Sequence, residues 1–193
     1  MIKTLGSVKF PSSTELNINM MPFISGDLAS LPEYLHSYKD ILEACPLKKG
    51  STVYLTVHEA ILGEGEYLRR PGIHTDGTSN LNWGGGWGSK EGIYIASNDG
   101  NSRIWDYETY DVDHMGALKE LPKDVGLVCN PNQLYWITDR TPHESLPAKQ
   151  KGIRQFFRLV SSEVSVWYSK HSTPNPLGVQ PACTILHTNK FEV

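Results

Sequence analysis

The 193-residue chain carries 18 basic against 21 acidic side chains, a formal charge of −3, with no run of like charge. That balance gives no electrostatic grip on nucleic acid or on an anionic membrane surface. Three cysteines, Cys45, Cys129 and Cys183, are odd in number and form no C-x-x-C pair, which argues against a disulfide framework or a thiolate zinc site and fits a reducing, cytoplasmic setting.

The N-terminal "MIKTLGSVKFPSSTELNINMMPF" is broken by polar residues and Pro11, unlike the apolar stretch of a signal peptide, and no later segment approaches a membrane span. "SLPEYLHSYKDILEAC" is the one long segment with helical periodicity: Leu31, Leu35, Tyr38, Leu42 and Cys45 share a face. Ser30 and Glu33 have the spacing of a capping box, with Pro32 tolerated in the first turn, so one N-terminal helix packed on a sheet is expected. After Gly50 the chain reads as strands: "STVYLTVHEAIL" (51–62), "EYLRR" before Pro71-Gly72, "GIYIAS" and "SRIWDYE", "VGLVC", "QLYWIT", "IRQFFRLVSS" and "VSVWYS". Asn98-Asp99-Gly100-Asn101 reads as the turn of a hairpin, and "MGALKEL" (115–121) as a short second helix. Strands behind one helix, without alternating β–α units, predict an antiparallel sandwich or barrel in a single domain, 1–193.

Two stretches depart from this pattern. "DGTSNLNWGGGWGSKEG" (76–92) reads as a long loop in which Trp83 and Trp87, set among glycines, are candidates to cover a substrate. The tail beyond "HSTPNPLG", with a last apolar patch in "ACTIL", is expected to wrap the domain.

The chemistry concentrates in "RRPGIHTDG" (69–77). In an extended strand, residues two apart point the same way about 6.6–6.8 Å apart, so His74 and Asp76 can converge on one ion, with Gly77 allowing the chain to turn. The same pair can also close an exposed hairpin, and the motif is weak by itself. In "TDRTPHESLPAKQKGIRQFFRLV", a hairpin centred at Ala148–Lys149 would set His143 opposite Arg154 on one face. A guanidinium beside a metal-binding imidazole makes sense if a carboxylate ligand sits between them, since Arg154 grips such an anion through two parallel N–H bonds. Arg158, about 13 Å further along the strand, is the reserve. Two imidazoles and one carboxylate on one face of an octahedral ion leave three positions open, as in non-haem Fe(II) oxygenases.

The order H-x-D, a distal histidine and an arginine after ten more residues, on a mainly β chain with an N-terminal helix, resembles the 2-oxoglutarate- and Fe(II)-dependent dioxygenase superfamily. The resemblance covers about residues 50–170 and rests on four positions. It implies a double-stranded β-helix, or jelly roll, with His74, Asp76 and His143 as iron ligands and Arg154, or else Arg158, holding the distal carboxylate of 2-oxoglutarate. It further implies oxidative decarboxylation of 2-oxoglutarate with O₂ to succinate and CO₂, coupled to oxidation of a bound substrate, usually hydroxylation. Many members place a serine or threonine two residues after that arginine; this chain has Phe156.

Rival readings attach to the same residues. His143 can be a structural histidine satisfied by Glu144 or Asp139, and Arg154 a surface charge paired with Glu163. His58 reads as a sheet residue, His114 as part of a solvated turn, His171 as a loop residue, and Trp105, Trp136 and Trp167 as core. Neither a phosphate-binding G-x-x-x-x-G-K-[ST] loop nor a G-x-S-x-G elbow occurs. The alternatives to the oxygenase are a cupin-like metal enzyme without 2-oxoglutarate and a non-catalytic jelly-roll binding module. The small size of the chain favours a small-molecule substrate.

Overall fold

A computed structural model of the protein describes residues 2–77, 92–113, 115–161 and 164–190. The architecture is mainly β, with two antiparallel sheets and one α-helix. The strands are β1 (Lys3–Ser7), β2 (Asn17–Ile24), β3 (Thr52–Leu62), β4 (Ile93–Ser97), β5 (Ser102–Ile104), β6 (Leu127–Val128), β7 (Gln133–Ile137), β8 (His143–Ser145), β9 (Gly152–Val160), β10 (Val166–Tyr168) and β11 (Thr184–Leu186); α1 is Lys39–Glu43. A six-stranded sheet runs β1-β7-β4-β9-β3-β2, and a three-stranded sheet runs β6-β5-β8. The smaller sheet is widened by single bridges from His74 to His143 and from His74 to Ala117. In the tail, β10 and β11 pair in parallel.

The large sheet is buried on both faces, so β4 is buried throughout and β9 from Arg154 onward. Val53, Leu55, Val57, Phe157 and Leu159 point to one side and pack with Leu31, Leu35, Tyr38, Ile41 and Cys45 of the N-terminal helical layer. Tyr54, Ile93, Ile95, Tyr135, Ile137 and Phe156 point to the other side, where Ile104 of the small sheet and Trp167 of the tail complete a second core. The candidate site residue Arg158 also points to this second face. Burying one such apolar side chain contributes about 1.5–3 kcal/mol, so both layers are strongly fixed to the sheet between them.

A buried carboxylate fastens the N-terminal segment to the first face. Glu59 accepts hydrogen bonds from the Tyr38 hydroxyl (2.6 Å), Gln155 Nε2 (2.8 Å) and the backbone N–H groups of Thr14 (2.8 Å) and Leu16 (3.0 Å). The helical segment itself differs from the sequence pattern. Glu33–Tyr38 is a 3₁₀ helix that passes into the short α1, and no capping box forms. The Ser30 hydroxyl instead accepts from Ile24 N (2.8 Å) and donates to Asp27 O (2.7 Å), fixing the preceding turn.

Three other local expectations are corrected. "EYLRR" is not a strand, and "MGALKEL" is not a helix: Gly116 turns with φ +73° and Ala117 bridges to His74. The turn Asn98–Asn101 does not close a hairpin. β4 lies in the large sheet and β5 in the small one, so this turn carries the chain across the sandwich. All three cysteines are free. Among the described residues, no helix is long and apolar enough to cross a membrane.

Candidate metal centre

His74 and His143 face each other across a backbone bridge, each donating its N–H to the other's carbonyl at 2.9 Å. Residues so paired present their side chains on one face, and the two imidazole centroids are 4.5 Å apart. Asp76, two residues beyond His74, turns to the same point. Ligand atoms of His74, Asp76 and His143 all lie within 4.8 Å of one another. His143 Nε2 is 3.9 Å from Asp76 Oδ2, inside the roughly 4.2 Å that two metal bonds of about 2.1 Å can span.

The surrounding bonds prepare both rings as ligands. Nδ1 of His74 lies 2.8 Å from Gly72 O, and Nδ1 of His143 lies 3.0 Å from Thr141 O. A carbonyl can only accept, so each Nδ1 carries the proton and each Nε2 presents a lone pair. Burial, joined by the neighbouring His143, pulls the His74 pKa from 6.5 down to about 3, which keeps this imidazole in the neutral form that binds metal. Burial works against ionisation of Asp76, but the Arg158 guanidinium, with His143 and His74, outweighs it and holds the carboxyl well below the usual carboxylate range. The donor set therefore has the charge state that a divalent ion needs.

The turn carrying these residues is tightly enclosed. Gly77 donates to Asp139 O (2.6 Å), and a Cβ on Gly77 would stand 2.5 Å from Asp139 Oδ2. A Cβ on Gly116 would stand 2.6 Å from Thr75 O. Both positions demand glycine for close approach.

The sequence-predicted pairing of His143 with Arg154 does not occur. Opposite His143 stand Ile104 and His74, whereas Arg154 lies in the large sheet opposite Ala60. Arg154 is 1% exposed. Its guanidinium meets Asp99 Oδ1 (3.2 Å), Leu146 O (3.0 Å), Ser145 Oγ (3.3 Å) and Asn101 O. Arg158, flanked by Thr56 and Ile95 on adjacent strands, reaches the candidate triad instead, with Nη1 at 3.1 Å from Asp76 Oδ2 and 3.3 Å from Oδ1.

The triad opens into a cavity of about 360 Å³ between the sheets, whose wall includes Arg158, Arg69 and Lys190. That volume lies at the lower end of the range for small-molecule sites. Burial, with the like charge of Arg158, lowers Arg69 to about 9, and burial lowers Lys190 to about 7 against the opposing pull of Asp76. Arg69, Lys190 and His171 all line this cavity, though the sequence marks none of them for chemistry and reads His171 as a loop residue. They lie on irregular segments where no periodicity marks them. His58 sits half-buried in β3, outside the cavity wall. Trp105 and Trp167 are core, and Trp136 packs partly buried with Lys3 over its ring. Trp83, Trp87, His114 and Glu163 lie outside the described residues.

A pH dependence follows from these groups. His74 at about 3 and His171 at about 4 stay neutral in the fold, and His58 is shifted in the same direction, each through burial first, while the unfolded chain takes up their protons below about pH 6.5. Unfolding then binds protons, so stability falls as pH drops from 6.5 towards 4. Asp139 opposes this: burial raises it from 3.8 to about 6, and its contribution is lost as pH rises through that window. Three imidazoles against one carboxyl leave a net loss on acidification. Metal-free protein is expected to show a lower urea midpoint at pH 5 than at pH 7; an equal or higher midpoint at pH 5 would contradict this balance.

The sequence matches no protein-family model, and comparison with curated proteins gives no match.

Proposed function

We propose that the protein is a non-haem Fe(II)- and 2-oxoglutarate-dependent oxygenase of jelly-roll type that oxidises a small molecule. The observation that carries this reading is the two-histidine, one-carboxylate face with both Nδ1 atoms tied to backbone carbonyls, opening onto a cavity rich in cations. Such a face leaves three positions of an octahedral ion open for a chelating co-substrate and O₂. When bound, iron and 2-oxoglutarate would supply the oxygen activation, and the chain supplies positioning.

His74 and His143 offer Nε2, and Asp76 offers its carboxylate. Arg158 orients that carboxylate and, beside the open face, is assigned the carboxylate of the co-substrate, since its planar fork serves two acceptors at once. Phe156, Ile95 and Leu68 give the cavity an apolar wall that keeps water from the reacting centre. Arg154, the arginine first indicated by sequence spacing, acts in this reading as a structural clamp.

The engagement of Arg154 elsewhere also favours a second reading, a cupin-like metal enzyme that binds its substrate directly and uses no 2-oxoglutarate. Anaerobic titration with Fe(II) and then 2-oxoglutarate separates the two, followed by measurement of succinate on admitting O₂. The oxygenase predicts binding of both and stoichiometric succinate. Metal uptake without 2-oxoglutarate binding supports the second reading, and absence of metal binding removes both.

A further inference from the structure

The metal-side roles assigned above occupy His74, Asp76, His143 and Arg158, and leave Arg69 without one. Its guanidinium carbon stands 5.3 Å from the centroid of the Phe156 ring. Among the described residues, Arg69 makes no hydrogen bond or ion pair beyond this ring contact. The side chain is half-buried and lines both the main cavity and a smaller hollow of about 30 Å³ that adjoins it beside Trp167.

A contact with an aromatic face satisfies none of the five N–H donors of a guanidinium, so those of Arg69 still lack an acceptor among the described residues. Like charge aggravates this, because Arg158 and Arg70 line the same space. Adding the metal and co-substrate does not relieve it. A divalent ion and a 2-oxoglutarate dianion cancel each other, and Asp76 answers Arg158. Glu144, the other acid on the wall, is already paired with Arg103 at 2.7 Å. Arg70 donates to Met115 O at 3.0 Å, and Arg69 is left facing a space that still lacks an anion. Leu68, Ile95 and Phe156 line that space with hydrocarbon.

We infer that the substrate of this site is a small organic anion, whose carboxylate or phosphate is gripped by Arg69 while its apolar body lies against Phe156, Ile95 and Leu68. The inference deepens the oxygenase reading and rests on it for the reaction; the binding itself follows from the cavity. A guanidinium held against a ring keeps its N–H edge for a bidentate anion, a geometry that lysine does not reproduce.

Calorimetric titration tests it. Mn(II)-loaded protein is titrated with 2-oxoglutarate, and the resulting complex with benzoate, phenyl phosphate and benzyl alcohol as probes. The wild type is expected to take up an anionic probe at least tenfold more tightly than benzyl alcohol. Arg69→Gln should lose that preference, keep its affinity for Mn(II) and 2-oxoglutarate, and melt near the wild-type temperature; Arg69→Lys should restore the preference only in part. Equal uptake of benzyl alcohol, or no uptake of either anion, overturns the inference. So does a loss of 2-oxoglutarate affinity in Arg69→Gln, which would place this arginine on the co-substrate. Failure of Mn(II) or 2-oxoglutarate to bind the wild type defeats the oxygenase reading instead, and the same probes on metal-free wild type and Arg69→Gln then decide the anion site alone.

Discussion

Replacing Asp76 with alanine is expected to weaken Mn(II) or Fe(II) binding by at least about 100-fold, beyond the tenfold to 100-fold typical of losing an outer-shell partner. Asp76 brings the only negative charge among the three ligands, and two neutral imidazoles hold a hard divalent ion poorly without it. The same substitution should destabilise the metal-free protein. Asp76 is 7% exposed and Arg158 is 6% exposed. Removing one member of a buried ion pair leaves the other charge uncompensated, at a cost of about 3–5 kcal/mol. The two effects separate in the double variant Asp76→Ala/Arg158→Met, where the stranded charge is gone: stability measured by urea denaturation should recover much of its loss, and metal binding should not. Wild-type metal affinity in Asp76→Ala would remove this triad as the metal site.

The His74–Asp76 part of the triad was legible because its geometry is local. H-x-D needs only the two-residue repeat of extended chain, and it keeps its meaning although just His74 makes bridges there. What could not be read was which strand meets which. The short loop after β8 suggests a hairpin with β9, yet it crosses from the small sheet to the large one, as Asn98–Asn101 does between β4 and β5. An Asp-Gly turn reports that the chain reverses, not which sheet receives it. Here the Asp99 side chain is used for something else, accepting from Ser97 Oγ (2.8 Å) and Asn101 Nδ2 (2.7 Å) while meeting Arg154.

Edge strands were hidden for related reasons. β1 is exposed along its length and interrupted at Gly6 by a register shift, so no alternation marks it. β2 carries Pro22, which only an edge position tolerates, and a second shift between Ile18 and Met21. That bulge has Met20 at φ +51° and lets Asn19 and Thr56 meet near the cavity, the kind of re-aiming that bulges serve beside functional sites. Of the strands legible in sequence, β3, β4, β7 and β9 lie inside the large sheet, where burial on both faces enforces β-branched and aromatic residues, while β5, β6 and β10 lie outside it.

The two arginines of β9 give the sharpest remaining contrast between sequence spacing and structure. Arg154→Ala is expected to cost about 3–5 kcal/mol, in line with removing a buried charged partner from a hydrogen-bonded network. Its guanidinium joins three segments: Asp99 and Asn101 in the crossing turn, Ser145 and Leu146 at the end of β8, and its own strand β9. Without it the carbonyls of Asn101 and Leu146 lose the donor that the buried Arg154 supplies. The metal-free protein should therefore unfold at a markedly lower urea concentration, while 2-oxoglutarate affinity of the Mn(II) form, measured where the variant is still folded, should stay within about threefold of wild type, well under the 1.4 kcal/mol that a tenfold change represents. Arg158→Gln should instead reduce 2-oxoglutarate binding tenfold or more, in addition to the stability lost with the Asp76 ion pair, because this guanidinium reaches the Asp76 carboxylate at the open face of the triad. If Arg154→Ala weakens 2-oxoglutarate and Arg158→Gln does not, the co-substrate lies at the far end of β9 and the spacing of ten residues after His143 was the better guide.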